Sequence, residues 1–105
     1  MIPDSLDIFI FKAIFDSYQS KIEITNWDIS KKYAISINPK ANMDDFNKTF
    51  VKIKSRIKNY CIKGVFKETI NGHGEKVYEM DLDKITFAKH KFNHCFKESL
   101  IIRLT

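Results

Sequence analysis

The sequence predicts an α+β fold in a single domain that spans residues 1–105. Two segments, Ser5–Ser20 and Phe46–Cys61, repeat apolar residues at helical spacing. Two further segments of alternating character flank an Asn-Gly pair, which is the strongest short hairpin signal. A chain of 105 residues and 12.4 kDa has the size of one domain.

The composition is that of a folded protein with a positive net charge. Apolar residues make up 44% and charged residues 30%, which excludes a wholly disordered chain. Eighteen basic and 13 acidic side chains give a formal charge of +5. Two cysteines are too few for a disulfide-stapled secreted fold, and the first residues lack the positive charge of a signal peptide. With Ile8–Phe11 as the longest apolar run, we expect a cytoplasmic protein without a membrane span.

The first predicted helix, Ser5–Ser20, is apolar on two faces. Ser5 is its predicted N-cap, because a serine hydroxyl can accept a hydrogen bond from a free backbone N–H. One face carries Leu6, Phe9, Ile10, Ala13, Ile14 and Ser17. The other face carries Ile8, Phe11, Phe15 and Tyr18. A helix that is apolar on both sides is either buried centrally or shared with a partner.

A short strand and a short helix are predicted next. Isoleucine alternates with charged residues over Lys21–Ile24, which predicts a strand of about four residues. Thr25 and Asp28 have the spacing of a capping box, so the second helix is predicted over Asn26–Tyr33. Its Trp27 is either a core residue or a binding residue, and we assign it to the core.

The third predicted helix is the most regular of the chain. A connection is predicted over Ala34–Met43, because Pro39 breaks a helix and holds the residue before it extended. Two aspartates then precede Phe46–Cys61, where carboxylates suit the positive end of the helix dipole. Gly64 is predicted to end this helix in a left-handed cap.

The remaining segments predict a hairpin and a last helix. Val65–Ile70 and Glu75–Leu82 are its predicted strands. From Asp83 to about Leu100 the apolar residues return to helical spacing, so residues 83–105 are assigned to a C-terminal helix. This helix either packs back on the first helix or pairs with a second copy, and we favour the homodimer. The predicted dimer interface comprises Ile8, Phe11, Phe15, Phe92 and Phe96.

The polar side of the third helix lacks acidic residues. The interval from Phe46 through Lys67 contains no carboxylate and seven basic residues, namely Lys48, Lys52, Lys54, Arg56, Lys58, Lys63 and Lys67. A helix face that is merely solvated usually mixes the two signs, because oppositely charged pairs stabilise it. Binding of a polyanion relieves the repulsion between like charges and releases counterions. We therefore favour nucleic-acid binding over a plain solvated face.

The order of elements resembles the winged helix-turn-helix DNA-binding domains, some of which are small proteins of viruses, plasmids and other mobile elements. Four segments carry the resemblance: Thr25–Ser30, Phe50–Ile57, Ile62–Phe66 and Glu75–Met80. It covers roughly residues 5–82 and leaves the C-terminal helix as an addition. The chain departs from the family in the connection of about ten residues before the third helix, where the family usually has a short turn.

The resemblance implies a duplex DNA-binding protein that regulates transcription or replication. The third helix would enter the major groove, with the hairpin as a wing along the backbone or the minor groove. The residues implied nearest the base edges are Asn47, Lys48, Val51, Lys52 and Ser55. Those implied at phosphates or in the wing are Lys54, Lys58, Lys63, Lys67, Asn71, His73 and Lys76. No enzymatic activity, cofactor or metal is expected.

Other functions would each need a further feature of the sequence. Single-stranded DNA binding would use the basic face together with exposed aromatic residues. A protein–protein interaction module would need an apolar partner surface instead. His90 and His94 have a spacing that can hold zinc, but two exposed histidines are the simpler interpretation. Cys61 lies on the apolar side of its helix, which is predicted to face the core, and this position argues against a catalytic thiol.

Overall fold

Three helices and a two-stranded antiparallel hairpin make up the part of the chain described by the computed structural model, residues 4–80. The elements are α1 (Ser5–Gln19), α2 (Asn26–Ile37), α3 (Met43–Ile62), β1 (Phe66–Ile70) and β2 (Lys76–Met80). This arrangement confirms the predicted α+β class. The predicted C-terminal helix lies outside the described residues, together with Phe92 and Phe96 of the predicted dimer interface. Within residues 4–80, no helix has the length and apolar character needed to cross a membrane.

Helix α1 is capped by Asp4, so the prediction of Ser5 as the N-cap is wrong. Asp4 Oδ1 accepts a hydrogen bond from the Asp7 amide at 2.9 Å, and Asp7 Oδ2 accepts one from the Asp4 amide at 3.2 Å. This reciprocal pair requires an acidic or amide side chain three residues after the cap. Asp4 has such a partner in Asp7, whereas Ser5 would have Ile8, which cannot accept a hydrogen bond.

The predicted strand at Lys21–Ile24 is also wrong. After α1 the chain turns at Lys21, whose φ of 56° is left-handed, and residues 22–25 then belong to no helix or strand. The Ile24 carbonyl accepts a bond from the Tyr78 amide at 3.3 Å, and this contact joins the segment to β2. Ile24 is buried while Ile22 is exposed, so the alternation in sequence does not describe one buried face.

Helix α2 continues four residues beyond its predicted end. Its predicted capping box is confirmed, because the Thr25 side chain accepts from the Asp28 amide at 3.1 Å. Pro39 restricts only the residue before it, Asn38, which is extended at φ −140° and ψ 107°. The helix therefore runs to Ile37, and the predicted connection of about ten residues shrinks to a turn over residues 38–42.

Helix α3 begins and ends at two well-defined caps. Asn42 accepts a hydrogen bond from the Asp45 amide at 3.1 Å, in a third capping box. At the other end Gly64 has the predicted left-handed conformation, with φ 76°. Its amide donates to Cys61 and the next amide, of Val65, donates to Tyr60, which is the Schellman pattern. These bonds turn the chain directly into β1.

The hairpin forms as predicted, with a connection over residues 71–75. Phe66 faces Met80 across the ladder and Ile70 faces Lys76. Asn71 Oδ1 accepts from the His73 amide at 2.9 Å and from the Glu75 amide at 3.0 Å. The left-handed residue of the connection is Gly74, at φ 76°. Asn71 thus organises the tip through its side chain, as expected for an Asx-type turn.

The core lies where α1 crosses α3 and the hairpin. The rings of Phe11 and Tyr60 meet edge to face at 4.6 Å between centroids, and Phe66 lies 5.2 Å from Phe11. Phe11 and Phe15, which were predicted at a dimer interface, are buried inside this core at 0% and 3% exposure. That part of the prediction is wrong, because both apolar faces of α1 are used within one chain. Ile8 remains half-buried beside them.

We expect opposite stability changes at the two left-handed positions that follow α1 and α3. Lys21→Gly should raise the free energy of unfolding by about 1 kcal/mol, because glycine adopts this conformation without the steric cost of a Cβ. Gly64→Ala should lower the free energy of unfolding by about 1 kcal/mol for the same reason. Urea unfolding of both variants measures the changes. Equal signs at the two positions would contradict the assigned backbone conformations.

Candidate nucleic-acid interface

Helix α3 buries one side over its second half, half-buries the same side at Phe46 and Phe50, and exposes the opposite side. Ile53, Ile57 and Tyr60 are buried, at no more than 2% exposure. The opposite side is called the lysine face here, and it consists of Asn47, Lys48, Val51, Lys52, Lys54, Ser55 and Lys58. All seven residues are exposed. The predicted arrangement of this helix is therefore the one that the structure shows, and Lys63 at its C-cap is exposed as well.

The lysines of this face are not neutralised by the acidic residues among residues 4–80. Lys48, Lys52, Lys54 and Lys58 form no ion pair with any carboxylate of that range. Lys63 differs, since its Nζ lies over the Tyr60 ring at 5.6 Å from the centroid. Four ammonium groups on about three turns of one helix give a strongly positive surface.

Arg56 does not belong to this surface. Its Nη1 lies 2.7 Å from Asp4 Oδ2 and 2.8 Å from Asp7 Oδ1, so the guanidinium is held by the first turn of α1. The Asp7 side chain is 3% exposed and the Arg56 side chain 36%, so a buried carboxylate is paired with a guanidinium that keeps part of its contact with solvent. Arg56 was counted among the seven basic residues of the carboxylate-free interval, and no local pattern points to these partners, which lie 52 and 49 residues away.

The pKa values around this ion pair follow from the hydrogen bonds. The pKa of Asp4 is lowered, first by the hydrogen bond from the Asp7 backbone and then by Arg56. The two carboxylates raise the pKa of Arg56, which stays charged at any accessible pH. Burial and the nearby Asp7 carboxylate raise the pKa of Tyr60. The ion pairs of Arg56 with Asp4 and Asp7 thus join α3 to α1.

The hairpin is of mixed charge, unlike the lysine face. Lys67 and His73 are exposed as predicted, whereas Lys76 Nζ lies 3.9 Å from Glu68 Oε1 across the ladder. Asn71 uses its side-chain amide within the fold, donating to Glu23 Oε2 at 3.1 Å and to Glu75. Of the predicted wing residues, Lys67 and His73 therefore have their side chains most available for a partner.

A cleft of about 680 Å³ separates the lysine face from the hairpin. Trp27 and Phe50 line it between the two walls, with ring centroids 5.9 Å apart. Lys54 and Lys58 line the side of the cleft that α3 forms. The hairpin wall carries Glu68, Glu75, Lys76 and Tyr78. Trp27 is half-buried against Phe46 and Phe50 and lies outside the buried core cluster, so its assignment to the core is not confirmed.

Two glutamates that were not predicted at this site face the lysines across the cleft. Glu68 and Glu75 come after the carboxylate-free interval, and only the return of the hairpin toward α3 brings them near Lys54 and Lys58. The pattern of the strands does not indicate which element these residues face. The acidic wall limits strong anion binding to the outer part of α3, away from the cleft.

The cleft also contains Cys61, whose thiol is protonated near neutral pH. Burial, followed by the Glu68 charge, raises the pKa of Cys61 to about 11. A thiol in that form is a weak nucleophile. Among residues 4–80, no three His, Cys, Asp or Glu side chains gather as metal ligands would. His90 and His94 lie outside the described residues.

Comparison of the chain with protein-family models, with curated proteins and with solved structures gave no match.

We expect Arg56→Ala to destabilise the fold by about 2 kcal/mol, because it leaves the buried Asp7 carboxylate without its cation. Lys52→Ala is the matched control, since it removes an exposed positive charge from the neighbouring turn of the same helix. We expect this control to stay within about 0.5 kcal/mol of the parent. Urea unfolding followed by circular dichroism gives both values. A loss of equal size in the two variants would contradict the structural role of Arg56.

The lowered pKa of Asp4 predicts a loss of stability in acid. The carboxylate stabilises the fold while it is ionised, so its contribution is complete above its ordinary pKa of 3.8 and is lost as the pH falls below that value. Asp4→Asn retains a capping oxygen but removes the charge. The difference in unfolding free energy between parent and variant should therefore be constant near neutral pH and shrink below 3.8. A difference that persists unchanged in strong acid would exclude the charge as its origin.

Proposed function

We propose that this chain is a winged helix-turn-helix protein that binds duplex DNA and regulates transcription or replication. In this proposal α3 is the recognition helix and the hairpin is the wing. The observation that carries the proposal is the lysine face: four exposed lysines on one side of α3, none of them paired with a carboxylate among residues 4–80.

The geometry of α2 and α3 supports this function. The two helices pack on each other and are joined by the turn over residues 38–42, as a helix-turn-helix requires. Asn38 Oδ1 accepts from the Lys40 amide at 3.0 Å, and the Asn38 carbonyl accepts from Ala41 at 2.9 Å, so the turn is internally bonded. The departure from the family that the sequence suggested disappears with the shorter connection. A short, bonded turn can hold α3 at a fixed angle to α2.

The charge distribution assigns different tasks to α3 and the wing. The lysine face has no internal counterion among the described residues and gains most from phosphate contacts. The wing carries Glu68, Glu75 and Glu79 beside Lys67 and Lys76, so its net attraction for a phosphate chain is weak. We therefore assign the main DNA contacts to the solvent side of α3, with Lys67 and His73 as the peripheral contacts of the wing.

Single-stranded DNA binding has less support. A strand that binds without pairing needs aromatic rings on which its bases can stack. Within residues 4–80, Tyr18 is the exposed aromatic residue, at 43%, and it lies near the end of α1 rather than beside the lysine face. A protein–protein module would instead use the apolar residues Tyr18, Ile22 and Ile70, which border a separate hollow. Both alternatives are outcomes of the experiment below.

We expect Lys48→Ala/Lys52→Ala to weaken duplex binding by about tenfold or more at low salt, since it removes two phosphate contacts on the outer part of α3. The slope of log affinity against log salt should fall by about two. Fluorescence anisotropy of a labelled duplex at several salt concentrations measures both. The emission of Trp27, the single tryptophan of the chain, reports from the edge of the same surface.

The matched control is Lys12→Ala/Lys32→Ala, which removes the same charge from α1 and α2 beside a different groove. This control should retain most of the affinity and the salt slope of the parent. Equal losses in the two double variants would contradict α3 as the binding element. Tighter binding of the unpaired strand than of the duplex would favour the single-strand alternative, and an absence of salt-dependent binding to either would favour the protein–protein module.

A further inference from the structure

An isolated apolar side chain lies in the middle of the lysine face. Val51 is 69% exposed. Asn47 and Ser55 lie one helical turn before and after it, and Lys48 and Lys54 lie three residues to either side. All four neighbours are polar and exposed. If this face docks on DNA as proposed above, Val51 is the apolar group closest to the centre of the contact.

Among residues 4–80, the lysine face carries no guanidinium group. Arg56 is the one arginine of that range, and its acceptors, Asp4 and Asp7, lie at the start of α1. The commonest specific contact to guanine is an arginine or a lysine on O6 and N7. A lysine ammonium is a flexible point charge without the planar fork of arginine, so it distinguishes guanine from other bases less sharply. Base selectivity by α3 therefore rests mainly on its uncharged side chains.

The uncharged side chains fit an A·T base pair better than a G·C pair. The C5 methyl of thymine is the apolar group that the major groove presents, and a valine methyl can pack against it. An asparagine amide pairs with N6 and N7 of adenine. Asn47 and Val51 are about 6 Å apart along the helix axis, which is roughly two base-pair steps.

We propose that α3 selects A·T-containing duplex DNA, with Val51 against a thymine methyl and Asn47 on an adenine nearby. This proposal rests on the proposed function and adds a base preference to it. The lysines supply binding that is independent of sequence, while these two residues supply the selectivity.

The decisive probes are alternating dA-dT, dA-dU and dG-dC duplexes of about 20 base pairs, each measured at the same series of salt concentrations. Uracil lacks only the methyl group, so its duplex keeps the phosphate charge and the pairing. We expect the parent protein to bind the thymine duplex about fourfold more tightly than the uracil duplex, the effect of one buried methyl. The dG-dC duplex should bind more weakly than either.

Three variants assign the effect to residues. Val51→Ala should bind the thymine and uracil duplexes equally while keeping the salt slope of the parent. Asn47→Ala should reduce the preference for dA-dU over dG-dC. Ile37→Ala removes another exposed apolar side chain, at the end of α2, and should leave both preferences unchanged.

The outcomes separate the two proposals. Salt-dependent binding of the parent with equal affinity for all three duplexes would overturn the base preference and leave DNA binding in place. A thymine preference that survives in Val51→Ala would overturn the role of Val51. No binding to any duplex would overturn the proposed function itself.

Discussion

The fold depends on the burial of one side of α3 against α1, α2 and the hairpin. Ile53, Ile57 and Tyr60 reach the core only if the helix lies with that side inward, and Tyr60 then meets Phe11 edge to face. Because a helix is rigid, burying this stripe forces the lysines on the opposite side into solvent. The core that stabilises the domain and the surface that we assign to DNA are thus two consequences of one packing arrangement.

Charge is divided between the two sides of α3 by the same arrangement. The ion pairs of Arg56 with Asp4 and Asp7 use one cation of the helix to join α1, and they lie next to the core. The four lysines farther round the helix have no such partner among residues 4–80. The cation that joins α3 to α1 and the lysines assigned to DNA binding are therefore different residues. For this reason Arg56 is the position to substitute in a test of stability, and the lysines are the positions to substitute in a test of binding.

The hairpin forms one wall of the cleft and adds little to the positive surface of α3. Its ladder places Glu68 beside Lys76, and the Asn71 side chain is used in holding the tip. Gly64 turns the chain out of α3 directly into β1, so the hairpin stands beside the helix and forms the second wall of the cleft. The acidic residues on that wall bound the positive surface on one side and confine it to the outer part of α3.

The sequence by itself determined the helices, the hairpin, the capping box at Thr25, the left-handed Gly64 and the exposed lysine face, because each follows from periodicity or from contacts a few residues apart. Its errors at Ser5, Lys21–Ile24 and the end of α2 each came from one local signal: a serine hydroxyl, the alternation of two isoleucines, and a range of influence assigned to Pro39 that was too long. Tertiary structure alone decided that Phe11 and Phe15 lie in the core, that Arg56 pairs with α1, and that Glu68 and Glu75 face the lysines. These contacts join residues that lie far apart in the chain, and hydrophobic or charge patterns do not specify which distant partner a side chain will meet.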